Sequence, residues 1–324
     1  IEWVRRTVVF LDPPDHDRLR ALLGRAFTPR QVARVRPITQ QIAARLADAA
    51  AKQGEVDLYD AFAQRLPLQV ICEMLGIPSV DHEEVHGWTA ALSLATAYPT
   101  PEARVGADLA MTAMNDYTLG LIAERRARPT EDLLSALCAA EEAGDRLSPQ
   151  ELVAMVVQLL YAGHETTRNL IGNGLFCLLQ HPAELARLRA QPELVPSAVE
   201  EMLRYEPPII FLSRVALADV TLAGVEFAKG DLLHLSLASA NRDAEAFPDP
   251  ERFDVARAKN PHVTFGNGLH FCIGAAVARM EARVAFETLL SRFPRIEIAG
   301  ETPRWAAATA LRSLEQFPVR LHAQ

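Results

Sequence analysis

This chain is short of the features that mark several large protein classes. Among its 324 residues there are 4 cysteines, Cys72, Cys138, Cys177 and Cys272, with no repeated spacing. That excludes a disulfide framework and leaves no cysteine cluster for an iron–sulfur centre. No apolar run approaches the ~18 residues that read as a membrane span, and no signal peptide is visible. A glycine fingerprint for a flavin or nicotinamide nucleotide is missing. So are internal repeats and low-complexity linkers. Positive charge is not in excess either: the formal net charge is −8, which argues against a nucleic-acid partner. Few, unpatterned cysteines suit the reducing cytosol, so a cytoplasmic location is expected.

What is present is an ordinary globular composition, 49% hydrophobic and 23% charged, ample for a large core. Hydrophobic periodicity predicts helices over 14–26, 30–52, 58–75, 81–97, 102–127, 131–143, 149–180, 182–190, 196–205 and 272–292. Strand character is confined to 213–237, with turns at Ala223-Gly224 and Lys229-Gly230, and to the C-terminus near Ile296–Ile298 and Phe317–Leu321. Length alone suggests about two domains. Long helices with little strand and no clean boundary instead favour one unit over 1–324.

The clearest helix start is Ser148-Pro149-Gln150-Glu151, a capping box with proline in the first helical position. His181-Pro182 ends that helix, which is therefore about 32 residues or roughly 48 Å long. Its apolar stripe turns small and polar at Ala162-Gly163-His164-Glu165-Thr166-Thr167. A lone threonine there could simply bond back to the carbonyl of Ala162. Here Gly163 leaves room for a small molecule, and Glu165 adds a proton carrier beside the Thr166 hydroxyl.

The most informative stretch is Phe265-Gly266-Asn267-Gly268-Leu269-His270-Phe271-Cys272-Ile273-Gly274. It sets one cysteine between glycines at the mouth of an apolar helix. Free N–H groups and the helix dipole there favour a thiolate, and the glycines permit a tight loop. Such a thiolate suits an axial ligand to haem iron. The other three cysteines lie in apolar helical stretches and read as small buried hydrophobes.

This string resembles the haem-ligand loop of cytochromes P450 at every specified position of that motif. The resemblance spans about 8–322 and implies a mainly α fold with minor β-sheet, the P450 fold. It implies haem b (iron protoporphyrin IX), with Cys272 as the metal ligand and Ala162, Gly163, Phe265, Gly266 and Gly274 against the cofactor. Thr166 and Glu165 match the family's acid–alcohol pair, which guides protons to bound dioxygen; His164 faces away. Glu201-Met202-Leu203-Arg204 with Arg252 of Pro250-Glu251-Arg252-Phe253 resembles the family's Glu-x-x-Arg plus Arg triad, a structural lock on the cysteine loop. His16 and Arg20 match its His-x-x-x-Arg helix. With Arg214 and His270 they are expected to hold the haem propionates.

The implied function is haem-thiolate monooxygenation, RH + O2 + 2e⁻ + 2H⁺ giving ROH + H2O. Leu159, Leu160, Ile209, Ile210 and Phe211 would wall a pocket for an apolar or amphipathic small molecule, such as a secondary-metabolism intermediate. A peroxide-driven or isomerising haem-thiolate enzyme is the first alternative, opposed by the Glu165–Thr166 pair; a non-catalytic haem-binding remnant is the second. Electrons are expected from a separate ferredoxin or flavodoxin with its reductase, and the enzyme is expected to be a monomer. Six arginines (18, 20, 25, 30, 34 and 36) against one acid between His16 and Arg36, extended by Arg279 and Arg283, would form the docking patch. The His-x-x-x-Arg helix opens at Pro14, earlier than in the family pattern, so the fold is expected to be N-terminally short, with the pocket roof affected.

Overall fold

The computed structural model describes residues 4–97, 100–142, 145–307 and 310–323. Helix α1 (Asp15–Ala26) leads into α2 (Pro29–Gln53), which Thr28 caps by accepting from the Gln31 N–H. Strand β1 (Glu55–Asp57) follows. A π-helical turn at Tyr59–Ala63 then precedes α3 (Arg65–Leu75). The continuous helix expected over 58–75 is thus broken in two; the wide turn lets the Tyr59 hydroxyl reach the side chains of Asn173 and Asn169 at 3.2 and 3.4 Å. Helices α4 (His82–Ala97), α5 (Pro101–Ala127) and α6 (Leu133–Ala139) come next. The helix expected to 143 stops at Ala139, and a small hairpin of β2 (Glu141–Glu142) and β3 (Asp145–Arg146) takes over.

Helix α7 (Pro149–Gln180) carries the expected capping box, with both Ser148–Glu151 hydrogen bonds formed. It packs on α3, α5, α9 and α11, and its apolar stripe at Val156, Leu170, Leu175 and Leu178 is 0–1% exposed. After α8 (Pro182–Ala190) and α9 (Val195–Tyr205) comes the strand-rich segment. There β4 (Phe211–Val215) pairs antiparallel with β7 (Leu232–Ser236), Phe211 opposite Ser236. Between them β5 (Val220–Leu222) and β6 (Val225–Phe227) form a hairpin. Ala223 and Gly224 turn it with φ of 49° and 81°, the doubly left-handed turn that fits strand twist.

A short α10 (Leu237–Ala240) opens a long irregular stretch that ends at the cysteine loop. Helix α11 (Ala275–Arg292) begins three residues later than expected, because Ile273 and Gly274 form a turn rather than a first helical turn. Strands β8 (Arg295–Ile298) and β9 (Pro318–His322) then close the sheet in the order β1-β9-β8, with β9 antiparallel to both neighbours. Buried apolar residues from Val8 to Leu321 join one hydrophobic cluster. No helix among the described residues is long and apolar enough to cross a membrane.

Candidate active site

The cysteine loop is fixed by its own backbone. Gly266 N–H donates to the Val263 carbonyl at 2.8 Å, Phe271 N–H to Gly268 at 3.0 Å, and Cys272 N–H to Phe265 at 2.9 Å. Gly266 and Gly268 both sit in the left-handed region, at φ of 71° and 72°, where a side chain would be strained. The Cys272 sulfur is half-buried and takes hydrogen bonds from the N–H groups of Gly274 and Ala275. Burial nevertheless pushes its thiol above the ordinary value. The two N–H groups and the charges of Arg20 and Arg279 pull it back only in part. The helix start alone does not make a thiolate here; a cation bound at the sulfur would.

Beside the loop the structure gathers the four expected anchors. Arg20 donates to the Phe271 carbonyl at 2.6 Å. The rings of His16 and His270 meet edge to face, 4.5 Å between centroids. His16 Nδ1 lies 2.9 Å from Asp17. Its Nε2 is buried with no hydrogen-bond partner, an orphan that a carboxylate would satisfy. Burial lowers the His270 pKa, and the neighbouring His16, Arg214 and Arg20 lower it further. Arg214 is exposed near the end of β4, opposite Leu233. This is a donor set for a dicarboxylate.

On α7 the open face is narrower than the sequence suggested. Ala162 is exposed and Thr166 half-exposed, with the Thr166 hydroxyl donating to the Ala162 carbonyl at 2.8 Å. The back-bonded geometry is therefore real, yet it leaves the oxygen free to accept. A Cβ on Gly163 would lie 3.7 Å from Ile71 of α3, an ordinary contact, so this glycine faces α3. Leu159 and Leu160, expected as pocket wall, are 8% and 1% exposed and belong to the core. Glu165 is 2% exposed. Its carboxylate lies 3.0 Å from Arg168 and 3.4 Å from His164 Nδ1, not beside the Thr166 hydroxyl, because consecutive helical residues point about 100° apart. His164 is fully buried.

Ile209, Ile210 and Phe211 are half-buried. Ile210 and Phe211 line a groove of about 740 Å³ with Tyr205, His234, Arg242 and Arg312, a groove that neither Thr166 nor Cys272 borders.

The structural lock differs from expectation in one member. Glu201 and Arg204, both 0% exposed, form a two-bond fork at 2.8 Å each. Arg204 also donates to the carbonyls of Asn241, Pro250 and Arg252. The second guanidinium on Glu201 belongs to Arg257, at 3.1 and 3.2 Å. The Arg252 side chain points outward, 3.8 Å from Asp254, and contributes only its carbonyl. Asn260 and the Asp254 N–H complete the shell around Glu201. The Pro-Glu-Arg-Phe run drew attention to the wrong arginine; five residues on, Arg257 carries no local motif.

The arginine run is less available than its sequence implies. Arg18 pairs with Glu151, Arg34 with Glu131 and Arg36 with Glu287. Arg279 and Arg283 share Glu200. The side chain of Arg25 lies outside the described residues. Acids from distant elements thus offset most of the local excess.

Comparison with known proteins gives a consistent picture. The family model described as Cytochrome P450 matches residues 80–305. Cytochrome P450 107B1 of Saccharopolyspora erythraea is 46% identical over 312 residues, covering 95% of this chain and 76% of that protein. The mycinamicin IV hydroxylase/epoxidase of Micromonospora griseorubida is 41% identical over 323 residues, covering 98% and 80%. Among solved structures, the bacillaene polyketide synthase cytochrome P450 PksS of Bacillus subtilis 168 superposes with a TM-score of 0.94. It is 41% identical and covers 99% of this chain and 82% of that one.

Proposed function

This chain belongs to the cytochrome P450 family and is a haem-dependent monooxygenase, and from that premise we propose that Cys272 ligates the iron of a haem b. On this reading the enzyme hydroxylates or epoxidises an amphipathic product of secondary metabolism. It draws electrons from a separate ferredoxin or flavodoxin and works as a single P450 domain in the cytoplasm. The carrying observation is the convergence of the Cys272 sulfur with Arg20, His16, His270 and Arg214, the buried unpartnered Nε2 of His16 among them. Two propionates would satisfy that set. Relatives named for polyketide biosynthesis and for mycinamicin IV hydroxylation or epoxidation support the substrate class.

The haem, when bound, supplies dioxygen binding and its reductive cleavage. The chain supplies position and protons. The Gly274 and Ala275 N–H groups hold the Cys272 sulfur and moderate its charge. Thr166 keeps a proton at Oγ1 on the open face of α7, anchored by Ala162. Glu165, paired with Arg168 at 3.0 Å, is the acid proposed to serve Thr166. The Glu201–Arg204–Arg257 lock keeps the loop rigid while charge changes at the sulfur.

The test is the reduced, carbon monoxide-bound spectrum. The protein should show the red-shifted Soret band of thiolate ligation. Cys272→Ser should lose it, whereas the same change at Cys72, Cys138 or Cys177 should not. Retention of the band in Cys272→Ser overturns the assignment.

A further inference from the structure

A second carboxylate–arginine clamp lies under the cysteine loop, built on Glu200, the residue beside the Glu201 of the first lock. Glu200 receives Arg279 Nε at 2.8 and 3.0 Å and Arg279 Nη2 at 2.8 Å. Arg283 approaches the same carboxylate at 3.7 Å. His262 Nε2 lies 3.0 Å from it. The Thr264 N–H donates to His262 Nδ1 at 3.3 Å, which fixes Nε2 as the protonated nitrogen, donating to Glu200. Burial would raise the Glu200 pKa, but the hydrogen bonds from His262 and Arg279 and the Arg279 charge bring it down to about 2; it is ionised whenever the protein is folded near neutrality. The guanidinium so held lies over the Phe265 ring, 4.4 Å from its centroid, a cation–π contact. Phe265 in turn accepts the Cys272 N–H, and the Arg279 charge is felt at the Cys272 sulfur.

We propose that Glu200 and Arg279 are positioning residues that tune the iron site: the carboxylate holds the guanidinium against Phe265, and their opposed charges set how readily the bound iron accepts an electron. The inference rests on Cys272 being the ligand. Its sign follows from electrostatics. A positive charge near the sulfur favours the form carrying the extra electron, and Glu200 offsets part of that charge. His262 orients the carboxylate.

The experiment measures the midpoint potential of the haem-loaded enzyme by reductive titration, together with its reduced carbon monoxide spectrum. Arg279→Gln should lower the ferrous-to-ferric ratio at fixed potential about threefold, ~28 mV at 59 mV per decade. Glu200→Gln should raise it by a similar factor, and the double variant should return close to wild type. Arg279→Lys keeps the charge and should stay near the wild-type potential. Shifts of the same sign in both single variants, or none in either, overturn the proposal. So does Arg279→Lys behaving like Arg279→Gln. Should Arg279→Gln fail to take up haem, Arg283→Gln decides, because it removes a charge without dismantling the fork. A smaller lowering is expected there, and no shift sinks the idea. If the wild type itself lacks the red-shifted band, the ligand assignment fails instead.

Discussion

Two charged clusters flank the site, and they are built on opposite terms. Behind the cysteine loop, Glu200 and Glu201 are consecutive carboxylates, each saturated by arginines, a ring or amide nitrogen and, for Glu201, a backbone N–H. On α7, Glu165 is as buried as Glu201 but meets only Arg168 at 3.0 Å and His164 at 3.4 Å. Both its oxygens and both ring nitrogens of His164 lack a hydrogen bond. A saturated buried network holds one geometry, whereas an under-satisfied one has a low barrier to rearrangement. The carboxylates behind the cysteine loop are saturated; the carboxylate proposed for the proton path is not.

The largest test of this contrast is Glu201→Gln. It leaves Arg204 as a buried charge without its fork, and such losses cost about 3–5 kcal/mol. Thermal unfolding should show that drop and haem content should fall with it; a variant as stable as wild type would remove the lock from the argument. The next test separates two arginines. Arg257→Ala should cost about 2 kcal/mol, because it removes the Nε–H shared by both oxygens of a buried carboxylate. Arg252→Ala, at an exposed side chain, should stay within about 0.5 kcal/mol. Equal effects would restore Arg252 to the lock. On the α7 side the effect should fall on chemistry, not folding. Thr166→Ala should bind haem and substrate but yield about tenfold less product per NAD(P)H consumed, the electrons leaving as peroxide. Unchanged coupling would pass the role to Thr167.

The smallest effects concern pH. Burial, with Arg168 and His86 nearby, lowers His164 to a pKa of about 3 from 6.5. Between those values the unfolded chain binds a proton the folded one refuses, so stability rises with pH there. Glu281 of α11 behaves oppositely. Burial alone raises its pKa well above 4.5, so above pH 4.5 the folded chain keeps a proton that the unfolded one releases, and stability falls with pH. Just above pH 4.5 the two slopes have opposite signs and offset each other. His164→Asn should expose the falling slope and Glu281→Gln the rising one. Glu200, lowered to about 2, adds stability that is lost only as pH falls from 4.5 towards 2. Denaturant titrations at pH 5.0 and 6.5 check this; parallel profiles in the three proteins would contradict the assignment.

Most of this architecture is legible without coordinates. Capping boxes, proline starts and 3.6-residue stripes are local, so the bounds of α7 and α8 follow from Ser148-Pro149, His181-Pro182 and the apolar residues between. The π turn at Tyr59 and the early end of α6 escape such reading, because a distant partner or a competing hairpin decides them.

The sequence by itself singled out the proposed ligand, since among the four cysteines Cys272 alone stands among glycines before a helix. It also determined where the four anchors lie along the chain. Only the tertiary structure decided which arginine completes the Glu201 lock, which way Gly163 and Glu165 face, and that three of the six arginines of the run pair with distant acids. Those outcomes depend on contacts between residues far apart in the chain, such as Arg257 with Glu201 and Arg36 with Glu287. Chain periodicity fixes a side chain's direction on its own helix; what waits there is set by how the helices pack.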